Sequence, residues 1–215
     1  MNELEICKHI DHTLLKPTST WTDIEVICLE AIKYKTASVC IPPCFVKKVH
    51  ETYPELNICT VIGFPLGYNT LETKLFETKQ ALNDGASEID MVINIGDAKS
   101  RNFVKIYNEI RTLKEACGNN ILKVIIETCY LTQEEKKALC KCVSDANADY
   151  IKTSTGFGSA GATIEDIKLF KQFIDPKVKM KAAGGIKSRE DIDAFLKLGC
   201  DRLGSSSAIK LLNIK

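Results

Sequence analysis

The sequence predicts an α/β fold, a (β/α)8 TIM barrel in which parallel strands alternate with helices. Eight short apolar runs recur at about 27 residues per unit, with longer amphipathic stretches between them. An open doubly wound sheet would usually stop at five or six strands. The 215 residues suffice for a barrel at the short end of its usual range. No linker or break in composition is evident, so we expect a single barrel domain over residues 1–215.

The eight apolar runs are the predicted strands. Several are rich in Val and Ile, which favour the pleated surface of a sheet. They cover residues 9–15, 37–41, 57–63, 88–95, 122–128, 149–154, 178–184 and 201–206.

Four of the segments between these strands carry clear helix signals. Apolar residues at 24, 27, 28 and 31 form one face of a 3.6-residue period. Thr163 and Ser188 are suitable N-caps, and Gly85 and Gly199 follow the last apolar turn of their segments. We therefore expect helices over residues 22–35, 71–85, 163–174 and 188–199.

Composition and charge exclude several classes of partner. The formal net charge is +1, so the chain has no general electrostatic reason to bind nucleic acid or an acidic membrane surface. No apolar run approaches about 20 residues, the length of a transmembrane helix. The first residues lack the basic flank and apolar core of a signal peptide. These features predict a cytoplasmic protein, although a local basic pocket is compatible with them.

Ten cysteines raise the question of disulfides or a metal site. Cys28, Cys40 and Cys59 lie within apolar runs, which is typical of small buried hydrophobes in a reducing compartment. No Cys-x-x-Cys pair is present. The nearest alternatives, Cys140-x-Cys142 and the group Cys7, His9 and His12, lack a second half with zinc-site spacing. We expect no metal.

Three lysines interrupt otherwise apolar strands. Lys123, Lys152 and Lys181 follow one another at 29 residues (152 − 123 and 181 − 152), which is one βα unit. In similar register they would lie at comparable heights on strands five, six and seven, with Lys152 and Lys181 on strands about 4.8 Å apart. A single such lysine would more often extend to solvent at a strand end. Three in succession favour a cluster inside the barrel.

A lysine cluster suggests a nucleophilic amine. An unprotonated lysine can attack a carbonyl and form a Schiff base, and both desolvation and a neighbouring cation favour the neutral amine. We expect Lys152 to be the nucleophile and Lys181 the neighbouring cation, although these patterns alone allow the reverse. Asp90 and Asp11 are the carboxylates expected to face the same site, as ion-pair partners or proton shuttles.

The loops after strands six, seven and eight are rich in small residues, at residues 153–161, 182–188 and 204–207. Barrel enzymes often bind phosphate at the loops after strands seven and eight, where glycine lets backbone N–H groups approach an anion. The predicted phosphate- or substrate-binding residues are Thr153, Thr155, Gly156, Gly184, Gly185, Gly204, Ser205 and Ser206. A simple turn is an adequate explanation for the stretch GFPLG at 63–67.

Seven motifs spread over residues 10–208 resemble the deoxyribose-phosphate aldolase family: IDHTLLKP, VIGFPLGYNTLETK, GASEIDMVINIG, LKVIIET, YIKTSTGFG, KAAGGIK and DRLGSSSA. The resemblance implies reversible cleavage of the sugar phosphate 2-deoxy-D-ribose 5-phosphate into acetaldehyde and D-glyceraldehyde 3-phosphate, without metal or cofactor. It implies that Lys152 forms the Schiff base and that Lys181 and Asp90 transfer protons.

The resemblance also concerns the surroundings of these residues. It implies that Asp11 and Lys123 belong to the supporting polar network and that Cys40 is a thiol close to the substrate, although a buried core cysteine is an alternative. Phe157 stands where some family members carry a lysine near the phosphate. Members of the family are often dimers, so a homodimer is a further expectation.

Three other functions remain open at this point. The chain could be a transaldolase-like or other Schiff-base sugar-phosphate aldolase. It could also be an isomerase barrel with a carboxylate base, or a barrel that binds a sugar phosphate without catalysis. Borohydride trapping on Lys152 separates the first two, and intact Lys152, Lys181 and Asp90 argue against the third.

Overall fold

The computed structural model describes residues 1–214; Lys215, the last residue of the predicted domain, lies outside the described residues. Eight parallel strands follow one another in chain order and close into a barrel, with the last strand paired to the first. The predicted (β/α)8 fold is confirmed. The strands are β1 Ile10–Thr13, β2 Ser38–Ile41, β3 Ile58–Ile62, β4 Glu88–Val92, β5 Ile121–Ile125, β6 Tyr150–Lys152, β7 Lys179–Ala183 and β8 Arg202–Ser205.

Each observed strand coincides with a predicted one, and all eight are shorter than predicted. The predicted segments extend further at their carboxyl ends, where the chain leaves the ladder to form the loops at one rim of the barrel. Lys152 is the last residue of β6, for example, and residues 153 and 154 already belong to the following loop. Ligands of α/β barrels bind at this rim.

Helices surround the barrel. All four predicted helices are present and differ from the prediction by one or two residues at their ends. The Thr20 and Ser188 side chains accept hydrogen bonds from backbone N–H groups three residues later and so cap two of them. The helices are α1 Glu3–Cys7, α2 Trp21–Tyr34, α3 Val46–Thr52, α4 Leu71–Asn83, α5 Ile95–Lys99, α6 Phe103–Cys117, α7 Gln133–Asp145, α8 Ile164–Phe173, α9 Arg189–Leu198 and α10 Ala208–Leu211.

The apolar core lies between the barrel and the helices. Along β4, Ile89 and Met91 belong to this core, whereas Glu88 and Asp90 alternate with them and face the barrel interior. Phe170 on α8 is fully buried in the same layer. Each such large side chain contributes about 1.5–3 kcal/mol through burial. The barrel interior is therefore free to hold polar groups.

Within residues 1–214, no helix has the length and apolar character needed to cross a bilayer. All ten cysteines are free thiols; Cys44 is exposed, Cys129 is half-buried and the other eight are buried.

Candidate active site

Asp90 lies at the centre of a charged cluster inside the barrel. One carboxylate oxygen, Oδ2, accepts hydrogen bonds from Lys152 Nζ and Lys181 Nζ, each at 2.7 Å. The other, Oδ1, accepts from Lys123 Nζ at 2.8 Å. All four side chains are almost completely buried. The three lysines that interrupt the strands therefore converge on one carboxylate.

The strand register differs from the equal heights expected for the three lysines. Lys152 and Lys181 are Cα partners on neighbouring strands, as predicted. Lys123 instead pairs with Asp90 on one side and Tyr150 on the other, two residues before Lys152. It reaches Asp90 from the strand adjacent to that carboxylate.

A second layer of charge surrounds Asp90. Asp11 Oδ2 lies 2.5 Å from Lys181 Nζ, and Asp11 Oδ1 accepts from Arg202 at 2.6 Å. Glu88 lies 2.6 Å from Lys123 Nζ and 3.1 Å from Arg202. Asp11 was expected here, whereas Glu88 and Arg202 were not. Glu88 is two residues before Asp90 on the same apolar strand, so the period-2 pattern was a signal that could have found it.

Opposite charges in the cluster shift the pKa values of Asp90, Asp11 and Lys181 toward their ionised forms. Burial alone would raise the pKa of Asp90, but the Lys123, Lys152 and Lys181 ammonium groups hold it well below the usual value. The pKa of Asp11 is also lowered, because the cations around it outweigh its burial. Conversely, burial would lower the pKa of Lys181, but Asp11 and Asp90 raise it above that of a free lysine. This raised pKa favours the ammonium form of Lys181 beside Lys152 in the unliganded site.

Cys40 and Cys59 lie on the same interior face, as Cα partners on β2 and β3. Cys59 Sγ is 3.1 Å from Asp90 Oδ1 and 3.3 Å from Lys123 Nζ. The adjacent Cys59 thiol lowers the pKa of Cys40, whereas burial raises the pKa of Cys59 well above its usual value. Cys40 is fully buried, and it packs with Cys59 and Val61.

A cleft of about 400 Å³ opens above this cluster at the carboxyl ends of the strands. Of the three clustered lysines, Lys152 alone lines it; Lys123 and Lys181 lie fully buried beneath, each bonded to two or more carboxylates. Of the two assignments that the sequence left open, this difference favours Lys152 as the nucleophile. An amine that attacks a substrate must border the cleft, and Lys152 does.

The loops predicted to bind phosphate form one wall of the cleft. The predicted residues that line it are Thr155, Gly156, Gly184, Gly185, Gly204, Ser205 and Ser206. Thr153 does not line it: its hydroxyl donates to the Ala183 carbonyl oxygen at 3.2 Å and accepts from the Ala183 N–H at 3.1 Å. The side chain of Thr153 thus joins the ends of β6 and β7.

Backbone geometry explains the glycines of this wall. Gly184 and Gly185 have φ of +75° and +74°, in the left-handed region that glycine adopts without steric cost. In the loops of residues 1–214, the N–H groups of Gly185 and Ser206 donate to no backbone carbonyl oxygen. These two donors suit an anionic ligand.

The site as a whole combines an amine on the floor of a cleft, a carboxylate and a fixed cation at its side, and backbone donors on one wall. Such a set can form an imine, move a proton and hold an anionic group away from the reacting bond.

Known proteins similar to this chain agree with that chemistry. A deoxyribose-phosphate aldolase of Clostridium botulinum (strain Alaska E43 / Type E3) is 64% identical over 213 residues, which cover 99% of this chain and 96% of the relative. One of Clostridioides difficile (strain 630) is 52% identical over 208 residues, 96% of this chain and 95% of the relative. The solved tetrameric structure of deoxyribose phosphate aldolase from Aeropyrum pernix superimposes with a TM-score of 0.92 at 30% identity, covering 98% of this chain and 91% of that one.

The family model for DeoC/LacD family aldolases matches residues 6–214. That match covers the whole barrel, including every residue of the charged cluster and of the glycine-rich wall. The chain belongs to the DeoC/LacD aldolase family.

Proposed function

We propose that this chain catalyses the reversible cleavage of 2-deoxy-D-ribose 5-phosphate into D-glyceraldehyde 3-phosphate and acetaldehyde, through a Schiff base on Lys152. The observation that carries the proposal is the position of Lys152, the one lysine of the buried cluster that lines the cleft. The names of relatives up to 64% identical over nearly the whole chain support the substrate.

Lys152 adds through its neutral amine to the aldehyde carbon of the open-chain sugar, and loss of water gives an iminium ion. Removal of the proton of the C3 hydroxyl then breaks the C2–C3 bond. The bonding electrons pass to the iminium, which leaves an enamine on Lys152 and releases glyceraldehyde 3-phosphate. Protonation of the enamine at C2 and hydrolysis of the resulting iminium free acetaldehyde and restore the amine.

Asp90 and Lys181 are the proposed partners in the proton transfers. Asp90 Oδ2 contacts both Lys152 and Lys181, so it can pass a proton between the reacting centre and its neighbours. Lys181 shares Asp90 Oδ2 with Lys152 and is the proposed second partner in these transfers. Asp11 and Lys123 hold this arrangement through the contacts already described, and Cys40 borders it from β2.

The phosphate of the substrate would bind at the wall formed by Gly184, Gly185, Gly204, Ser205 and Ser206. Backbone N–H groups there can hold an anion without a lysine at position 157, which is Phe157 in this chain. Binding energy from this remote group would orient the C3 hydroxyl at the reacting end of the cleft.

The proposal extends to assembly and location. We propose a homodimer, because Val26 and Leu29 on one face of α2 are half exposed or more; light scattering after gel filtration would test it. We also propose a cytoplasmic protein, since ten free thiols suit a reducing compartment.

The deciding experiment is borohydride reduction with acetaldehyde, followed by peptide mass mapping, together with an assay of deoxyribose 5-phosphate cleavage. We expect a two-carbon adduct on Lys152 and turnover of the sugar phosphate. Cleavage without any lysine adduct would overturn the Schiff base. An adduct on Lys152 with turnover of a ketose phosphate instead would favour a transaldolase-like enzyme.

A further inference from the structure

Glu127 is a buried carboxylate that lies beside the cleft and outside the lysine cluster. It follows β5 by two residues, is 1% exposed and has a φ of +52°. A left-handed backbone is sterically unfavourable for a residue with a Cβ atom and persists only where the surroundings hold it. In Glu127 this backbone conformation places the carboxylate beneath the loop that follows Lys152.

The Glu127 carboxylate is bonded to a single residue of that loop, Thr155. Its Oε2 accepts from the Thr155 N–H at 3.2 Å and also from the Thr155 hydroxyl in a short contact. The loop lies directly against the carboxylate: a Cβ atom added to Gly158 would come within 3.1 Å of Glu127 Cδ.

Glu127 has no cationic partner among residues 1–214. Every other buried carboxylate of the barrel interior, by contrast, contacts a lysine or an arginine. Burying a carboxylate without a cation is costly, and such a group is stable only where hydrogen bonds satisfy it. A carboxyl group at this buried position therefore calls for a role.

The contact determines which way the Thr155 hydroxyl points. That hydroxyl has one proton, which it donates to Glu127, and its oxygen already accepts from the Phe157 N–H at 3.0 Å. Thr155 lines the cleft, where it can therefore only accept a hydrogen bond. An acceptor-only oxygen suits a hydroxyl group of the substrate and does not suit its phosphate.

We infer that Glu127 is a positioning residue that makes Thr155 the acceptor for a hydroxyl group of the phosphorylated aldehyde. The inference rests on the proposed aldolase function. Glu127 touches no substrate itself; it fixes the proton of Thr155 and so lets the site distinguish a hydroxylated aldehyde from its deoxy analogue. The phosphate is left to the backbone N–H groups of Gly185 and Ser206.

The test is Glu127→Gln assayed in the direction of synthesis, with acetaldehyde as donor. D-Glyceraldehyde 3-phosphate is compared with 3-oxopropyl phosphate, which has the same chain and phosphate but lacks the hydroxyl. We expect kcat/KM for glyceraldehyde 3-phosphate to fall about tenfold or more, mainly through KM, as for the loss of one hydrogen bond in a site built for it. With 3-oxopropyl phosphate, kcat/KM of the variant should stay within about twofold of the wild-type value.

Three further variants complete the test, and Thr155→Val keeps it decisive if Glu127→Gln folds poorly. Thr155→Val should show the same selective loss, and the double variant should lose little more than either single one. The control is Glu109→Gln, since Glu109 is a buried glutamate paired with Lys74 away from the cleft. This variant should leave the ratio of kcat/KM for the two acceptor aldehydes unchanged. Equal losses on both acceptors, or no loss, would overturn the role of Glu127.

Borohydride trapping of acetaldehyde distinguishes this result from failure of the proposed function. Acetaldehyde has neither hydroxyl nor phosphate, so Glu127→Gln should still give the adduct on Lys152. A wild-type chain that gave no adduct and no turnover would overturn the aldolase proposal and this inference together.

Discussion

Lys152 and Lys181 are Cα partners on neighbouring strands, and both donate to the same oxygen of Asp90 at 2.7 Å. One of them lines the cleft and the other is sealed beneath it. This difference in position supports the proposal that Lys152 is the reactive amine and Lys181 a neighbouring charge.

Lys181→Leu tests the role of the fixed charge. We expect kcat for deoxyribose 5-phosphate to fall about 100-fold or more, because Asp90 loses a proton partner and Lys152 loses its charged neighbour on β7. KM should change by less than about threefold, since Lys181 does not line the cleft. Steady-state kinetics measure both, with Lys136→Leu, which breaks an ion pair with Asp166 elsewhere, as control. A loss that appeared mainly in KM would contradict the assignment.

Asp90→Asn should destabilise the fold strongly. Removing this charge leaves Lys123, Lys152 and Lys181 buried around a neutral amide, and breaking a buried ion pair in this way costs about 3–5 kcal/mol. Urea unfolding gives the free energy of unfolding. Adding Lys123→Met to Asp90→Asn should recover part of the loss, because one uncompensated cation is removed. Asp145→Asn, in an exposed pair with Lys141, should cost less than about 1 kcal/mol.

Buried thiols predict a loss of stability at alkaline pH. Burial raises the pKa of Cys28, Cys140 and Cys200 to about 12, against about 8.5 in an unfolded chain. Between these values the unfolded chain releases protons that the folded one retains, so the free energy of unfolding falls as pH rises. Each thiol contributes a slope of up to about 1.4 kcal/mol per pH unit above pH 9.

The measurement is urea unfolding at several pH values between 8 and 10.5. Cys140→Ala should make the alkaline slope shallower, at some cost in packing at every pH. Cys44→Ala removes an exposed thiol and should leave the slope as it is. An identical slope in the two variants would argue against burial as its cause.

Gly161→Ala should disturb the phosphate wall. An added Cβ would lie 2.3 Å from the carbonyl carbon and oxygen of Gly184, so the Gly184–Gly185 turn would have to move. We expect KM for glyceraldehyde 3-phosphate to rise several-fold while activity with unphosphorylated glyceraldehyde changes little. Gly118→Ala is the control, because nothing lies within 4 Å of its added Cβ; it should cost about 1 kcal/mol of stability and leave KM unchanged. Equal effects on both aldehydes would count against a phosphate site at this turn.

The fold was predictable because apolar strands and amphipathic helices alternate throughout the chain. Spacing also predicted that Lys152 and Lys181 are neighbours. It could not predict the offset of Lys123, because spacing counts loop and helix residues whereas register follows the hydrogen bonds between strands. The substrate came from the resemblance, since small residues around Lys152 do not define one.

The contacts of the other site residues depend on local geometry, which a periodic sequence pattern does not predict. Glu127 ends a motif that reads as strand, and only its left-handed backbone turns the carboxylate toward Thr155. Thr153 lies in a loop of small residues typical of ligand binding, yet its hydroxyl is bonded to the neighbouring strand. Glu88 and Arg202 contact each other across the barrel although 114 residues separate them in the chain.

The charged cluster is divided between the two halves of the chain. Its carboxylates, Asp11, Glu88 and Asp90, come from β1 and β4, whereas its cations, Lys123, Lys152, Lys181 and Arg202, come from β5 to β8. A four-stranded half expressed alone would have to bury charge of one sign without compensation. Each half therefore supplies the opposite charges that the other half needs. A fragment with β1 to β4 and a fragment with β5 to β8 should assemble on mixing, although neither folds by itself.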